Sequence, residues 1–239
     1  NYTYTYDDSP ITSRRNHLWW QASVTQAGLV LDGIYALAGK KFNKEDKELL
    51  GNPFAQFIKG TAEIRYNYAL GHKQYLVGRL MAGAIYSYGN ARTSPYNAGE
   101  SIRAFTIRSI GPGRYYQNSD NNKYAYIDRT GDLKFEANLE YRFPILGDLH
   151  GATFLDSGNI WLIRNDPDRP GGQLKWGSFL KDLALGTGFG LRYDLTFIVI
   201  RFDVGIGLHL PYDTGKKGYY NIPKFKDGMG YHFAIGYPF

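Results

Sequence analysis

Polar and apolar residues alternate over long stretches of this chain. From 132 to 143 it reads Asp-Leu-Lys-Phe-Glu-Ala-Asn-Leu-Glu-Tyr-Arg-Phe, with every even position polar or charged and every odd one apolar. A period of two belongs to a β-strand and gathers all the charges on one face. The same pattern runs from 57 to 68, where Lys59, Thr61, Glu63, Arg65 and Asn67 oppose Ile58, Ala62, Ile64, Tyr66 and Tyr68. It returns over 179–193, 197–209 and 229–239; in the last of these Tyr231, Phe233 and Ile235 stand against Gly230, His232 and Ala234. The pattern predicts nine strands, over 1–8, 17–28, 54–68, 73–89, 132–143, 149–163, 179–193, 195–210 and 229–239.

A soluble sandwich alternates in the same way, so the pattern by itself leaves two architectures open. Strand length and the rhythm of the connections favour a membrane barrel. Several predicted strands exceed the usual five or six or so residues and reach the ~9–11 that cross a bilayer at a tilt. Connections at 9–16, 69–73, 144–148 and 193–195 are short, whereas those at 29–52, 90–131, 164–178 and 211–228 are long. Short turns at one end and long loops at the other are how outer-membrane barrels are built. Aromatic residues near strand ends, such as Tyr4, Trp19, Tyr66, Tyr86 and Trp161, fit interfacial girdles, and ordinary β propensity accounts for them equally well. Single-chain bacterial barrels have an even strand count and lipid does not tolerate open edges. Nine strands therefore predict the C-terminal part of a larger barrel, or a miscounted first strand. A start at Asn1, with no initiator Met or signal peptide, reads as a processed or partial chain.

Composition narrows the choices. The chain has 239 residues and no apolar run near the 18 or so of a membrane helix, which excludes helical spanning but not a barrel. With no cysteine there is neither a disulfide framework nor a thiolate site, and five scattered histidines give no metal spacing. The net charge of +6 would raise nucleic acid as a partner, but the charges recur at every second strand position, as in a polar barrel interior. Asn165-Asp166-Pro167-Asp168 and Asp120-Asn121-Asn122 lack the ligand rhythm of a calcium loop, Gly111-Pro112-Gly113 reads as a turn, and no nucleophile elbow is present. No enzymatic activity, metal or cofactor is expected.

The segment 90–131 far exceeds ordinary loop length and is functional or disordered on that ground. It holds Ser101-Ile102-Arg103-Ala104-Phe105. Together with "GDLKFEANLEYRFPI" (131–145), "GATFLDSGNIW" (151–161) and the closing "GYHFAIGYPF", the stretch "SIRAFTIRSIGPG" (101–113) resembles the BamA/TamA-like outer-membrane insertase family over essentially the whole chain. The resemblance implies an all-β fold: the nine C-terminal strands of a 16-stranded transmembrane antiparallel barrel, with residues 1–239 a single partial barrel domain in the bacterial outer membrane. In that family an Arg-Gly-Phe or Arg-Gly-Tyr loop folds into the lumen, and its arginine meets acidic residues on the next two strands. Carried over, the arginine is Arg103 and the acids are Glu140 and Asp156. Glu140 lies on the polar face of its strand, whereas 149–163, which holds Asp156, is mixed on both faces. Ala104 stands where the family has glycine, and would be strained if the turn needs positive φ. The arginine either pins a plug in place or takes part in movement.

Gly230, Gly236 and Pro238 weaken pairing in the last strand, which also carries Tyr237 and Phe239. The resemblance implies a loosely paired gate there, where client strands are templated by strand addition; a plain closing strand is the alternative. The implied function is assembly, insertion or translocation of outer-membrane proteins without a chemical step. Its partners would be the lipid bilayer, client outer-membrane proteins, periplasmic domains upstream and accessory subunits. A two-partner-secretion pore or the barrel anchor of a lipase fusion is the second reading, and a soluble β-sandwich binding module the third.

Overall fold

The computed structural model describes residues 1–8, 16–39, 48–88, 96, 102–106, 108–116, 129–195, 197–236 and 238. Nine strands form one antiparallel sheet: β1 (Tyr2–Asp7), β2 (His17–Ala27), β5 (Phe57–Gly71), β6 (Gln74–Ser87), β7 (Leu133–Leu146), β8 (Leu149–Trp161), β9 (Ala184–Asp194), β10 (Val199–His209) and β11 (Met229–Ile235). Each pairs with its neighbour in this order, which leaves β1 and β11 at the two edges. A two-stranded ribbon of β3 (Glu48–Leu49) and β4 (Asn52–Pro53) stands apart. Seven of the nine sheet strands run 11 to 15 residues, long enough to cross a bilayer at a tilt.

Cross-strand register turns alternation into two continuous faces. Glu63 pairs with Gln21, Arg79 with Arg65 and Asn138, and Asn138 with Asp156, so polar side chains stack on one side of the wall. Ile64 pairs with Trp20 and Leu80, and Leu139 with Leu155, on the other side. The polar face is buried and the apolar face open: Glu136, Glu140, Asp156 and Asp203 are enclosed, while Leu80, Leu139, Leu155, Phe189 and Phe233 are exposed. A water-soluble sandwich buries the opposite set. The pattern is that of a wall whose oily side meets lipid and whose polar side lines a lumen.

Loops supply the apolar packing inside. Ile102, Ala104, Phe105 and Ile110, between β6 and β7, cluster with Ile85, Tyr96, Ile160, Ala184, Leu210 and Ile222. Of the short connections, 72–73 and 147–148 are two-residue turns, and Leu195 closes on Ile198 through a 2.8 Å backbone bond.

Several boundaries differ from expectation. The 29–52 segment contains a helix, α1 (Leu29–Leu37), as well as the β3–β4 ribbon. The strand expected from 179 begins at Ala184, because Trp176–Lys181 winds into a 3-10 turn that brings Phe179 onto Trp161. The last strand stops at Ile235: Gly236 takes φ 90° and turns the chain off the ladder, so Pro238 lies beyond the pairing and is no defect within it. Tyr237 and Phe239 lie outside the described residues.

Lipid-facing leucines at mid-strand should be intolerant of charge. Leu139→Arg is expected to destabilise the folded protein by about 2–4 kcal/mol and Leu146→Arg, at the strand end, by about 0–1 kcal/mol, read from urea unfolding of the full-length protein in phospholipid vesicles.

Candidate functional site: an arginine seated in the lumenal wall

The segment 102–106 folds back against the polar face of β7–β11. Ile102 and Phe105 anchor it in the apolar cluster, and a tight turn closes it, with Phe105 N donating to Ile102 O at 3.0 Å. Arg103, 5% exposed, then points into the wall. Its Nε and Nη2 donate to the two oxygens of Asp156 at 2.8 and 2.9 Å, its backbone N–H reaches Oδ2 at 3.1 Å, and Nη1 donates to Glu140. The Phe154 ring lies under the guanidinium, 3.5 Å from centroid to Cζ. A forked contact of this kind satisfies a planar cation that has lost its water.

Neighbouring strands extend the network. Glu140 on β7 also accepts from Arg142 at 2.7 Å and from Arg192 on β9 at 3.2 Å. Arg192 donates to Asp203 on β10 at 2.5 Å, and Arg201 donates to the same carboxylate at 3.2 Å. Asn138 donates to Asp156 at 2.9 Å and accepts from Arg79 at 3.0 Å. Through that amide the cluster joins a second one, in which Arg79 bridges Glu63 (2.9 Å) and Glu136 (3.1 Å). One hydrogen-bonded belt thus crosses from β5 to β10.

The seat of the loop is made of glycine. A Cβ on Gly186 would lie 2.5 Å from the Ala104 methyl, and one on Gly205 or Gly230 would run into the Arg103 carbonyl. That carbonyl accepts a 2.5 Å hydrogen bond from Nε2 of His232 on β11. Ala104 itself is unstrained: the non-glycine residues with positive φ among those described are Leu50, Lys73 and Arg108. The bare backbone that the contact needs is on the wall rather than in the loop, so a methyl at 104 is accommodated.

The structure therefore brings Arg103, Ala104, Phe105, Ile102, Glu140, Asp156 and Gly230 together. Ser101 lies outside the described residues, and Gly236 belongs to the turn after β11. Gly230 acts here as a close-approach point for the loop, a use distinct from weakening a strand. Arg192, Asp203 and His232 were missed as partners: alternation places each on the polar face, but nothing in one sequence says which strands stand two or three apart across the wall. Elsewhere, Asp166 accepts from Arg169 Nε at 2.7 Å and from Asp168 N at 3.0 Å, and the Arg169 bond holds its carboxyl below the usual range. Its oxygens cap a turn. Asp120, Asn121 and Asn122 lie outside the described residues. Asp7, Asp8 and His17 bring ligand atoms within 4.8 Å of one another, with His17 donating to Asp7 at 2.7 Å.

A family model for the Omp85 superfamily domain matches residues 32–239, from within α1 to the last residue. No curated protein matches the chain.

Removal of the Arg103 side chain leaves Asp156 buried without its cation. Arg103→Ala is expected to cost about 3–5 kcal/mol in urea unfolding. Arg103→Lys should recover less than half of that, because an ammonium cannot fork. Gly205→Ala should lift the loop and raise protease cleavage within 102–116, whereas Gly60→Ala, whose new methyl meets open space, should leave cleavage unchanged.

Proposed function

Because this chain belongs to the Omp85 superfamily, whose members are non-enzymatic outer-membrane insertases and transporters, we propose that it is the barrel part of a BamA/TamA-like factor that assembles other outer-membrane proteins. Residues 1–239 form one barrel domain on this reading, the C-terminal strands of a larger closed barrel, since a bilayer does not tolerate open sheet edges. The observation that carries the proposal is the seated loop. Arg103 is neutralised by β7 and β8 through its side chain and held by β11 through its carbonyl. The loop thus braces the sheet edge at which a client strand would add.

β11 suits such a role. It has seven residues against 11 in β10, and it ends on a turn at Gly236. Its ladder to β10 has seven residue pairs, fewer than the ten between β9 and β10, so the edge at which a client strand would add is short. No covalent chemistry is required. The work is to lower the barrier to insertion, and the loop governs how firmly β11 is held. Lipid, client barrel proteins, upstream periplasmic domains and accessory subunits are the partners.

One observation favours the second reading, a secretion pore. At the short-turn end the lumen opens into a polar cavity of about 890 Å3, where Lys73, Arg142 and Arg192 face Asp148 and Asp194. Such a mouth suits a hydrated polypeptide.

Reconstitution of the full-length protein separates the two. An insertase should speed the folding of an added client barrel over that in empty vesicles, and Arg103→Ala should reduce the acceleration several-fold. Folding no faster than in empty vesicles, with single-channel conductance that rises in Arg103→Ala, would replace the insertase with the pore.

A further inference from the structure

Helix α1 turns its apolar side away from the protein. At 100° per residue, Leu29, Val30, Ile34 and Leu37 fall within an arc of about 140°, and all four are exposed, Leu37 at 93%. The opposite side carries the half-buried Leu31 and Tyr35 and the buried Asp32. Asp32 is completely buried and accepts from Gln56 Nε2 at 2.5 Å. Tyr35 donates to the Glu48 carbonyl and stacks on Phe54 at 6.2 Å. A helix resting on a water-soluble domain has the reverse arrangement.

Register says which side of the wall the helix covers. Phe57 pairs with Ser87, and Tyr88 N donates to Gln56 O at 2.9 Å, so Gln56 and Tyr88 form the next cross-strand pair of the β5–β6 ladder. Phe57 packs into the lumenal cluster. Successive side chains point to opposite faces, which puts Gln56 and Tyr88 on the outer face with Ile58 and Tyr86, both exposed. Asp32 sits over that outer pair, with the Tyr88 hydroxyl beside its carboxylate. Gly28 permits the approach: a Cβ there would lie 2.8 Å from Gln56 Cγ, and its φ of 85° starts the helix. The helix is therefore fastened by polar contacts to the lipid side of the wall, at the long-loop end. Its apolar stripe continues the surface formed by Ile58, Ile64 and Tyr86.

We propose that α1 is an interfacial helix, with Leu29, Val30, Ile34 and Leu37 buried at the boundary between headgroups and acyl chains of the leaflet at the long-loop end. Lipid is the occupant because the stripe is continuous with a surface that lipid already covers, and because helices with one apolar side lie in that plane. The Asp32–Gln56–Tyr88 contact fixes the angle at which the stripe is presented.

Residues 1–239 contain no cysteine, so within this domain an introduced thiol is the sole attachment point, and any cysteine elsewhere in the full-length protein would first be replaced by serine. Leu37→Cys and, separately, Val30→Cys would carry a nitroxide in the full-length protein in phospholipid vesicles, with Lys73→Cys in the short β5–β6 turn as the aqueous reference. Collision with oxygen and with a water-soluble nickel chelate would be measured. The expected result is a chelate accessibility several-fold below that of Lys73, with high oxygen accessibility, at both positions. Chelate access equal to that at Lys73 would overturn the proposal. Spin–spin broadening between labels on two molecules would also overturn it, and would assign the stripe to a second copy of the chain.

Discussion

A guanidinium placed inside a protein wall has to be matched there, and the arrangement of this sheet follows from matching Arg103. Withdrawing such an ion from water costs several kcal/mol or more, and the cost is offset only when geometry and hydrogen bonding are both satisfied. Asp156 supplies the fork, Glu140 the third contact and Phe154 the face of a ring. Those carboxylates are buried too, and they recruit Arg142, Arg192 and, through Asp203, Arg201. The result is a belt in which each ion is held by others on adjoining strands.

Two consequences follow for the wall. Its interior must stay thin where the loop lies against it, which accounts for glycine at 186, 205 and 230. The loop must also bring its own apolar residues, because the wall has given its lumenal side to charges. Ile102, Phe105 and Ile110 perform that service with Ile160, Leu210 and Ile222, and the long-loop end of the lumen is filled as a result. The short-turn end keeps its polar cavity. The two ends of the wall therefore differ in chemistry, apolar packing against the loop at one and charged side chains around a cavity at the other.

The outer face obeys a simpler constraint. Each strand spends half of its side chains on lipid, so apolar residues need neither a core nor a partner, and their exposure is the normal state of such a surface. Helix α1 departs from the strands in form and agrees with them in chemistry, since its polar residues face protein and Leu29, Val30, Ile34 and Leu37 face away. The aromatic pairs Tyr66–Tyr68 and Phe202–Tyr231 belong to the same surface.

Alternation along the chain was enough to read the nine strands of the sheet, and strand length with the rhythm of connections favoured a membrane barrel over the soluble sandwich that alternation alone left open. Period-two alternation is a local property, and the contrast between two-residue turns and long connections needs no knowledge of packing. Alternation also put Glu140 on the polar side, while the pairing of Arg103 with Glu140 and Asp156 came from family resemblance. Tertiary structure alone decided the rest. Which strands adjoin is fixed by register, so the link from Arg192 to Glu140 and from His232 to the Arg103 carbonyl had no trace in spacing. Strand ends at Ala184 and Ile235 were set by a 3-10 turn and a left-handed glycine that override an alternation continuing past them. The unstrained Ala104 depended on space left by a glycine some eighty residues away, Gly186. Contacts between distant segments depend on how the wall curves around the loop, and no local pattern encodes that curvature.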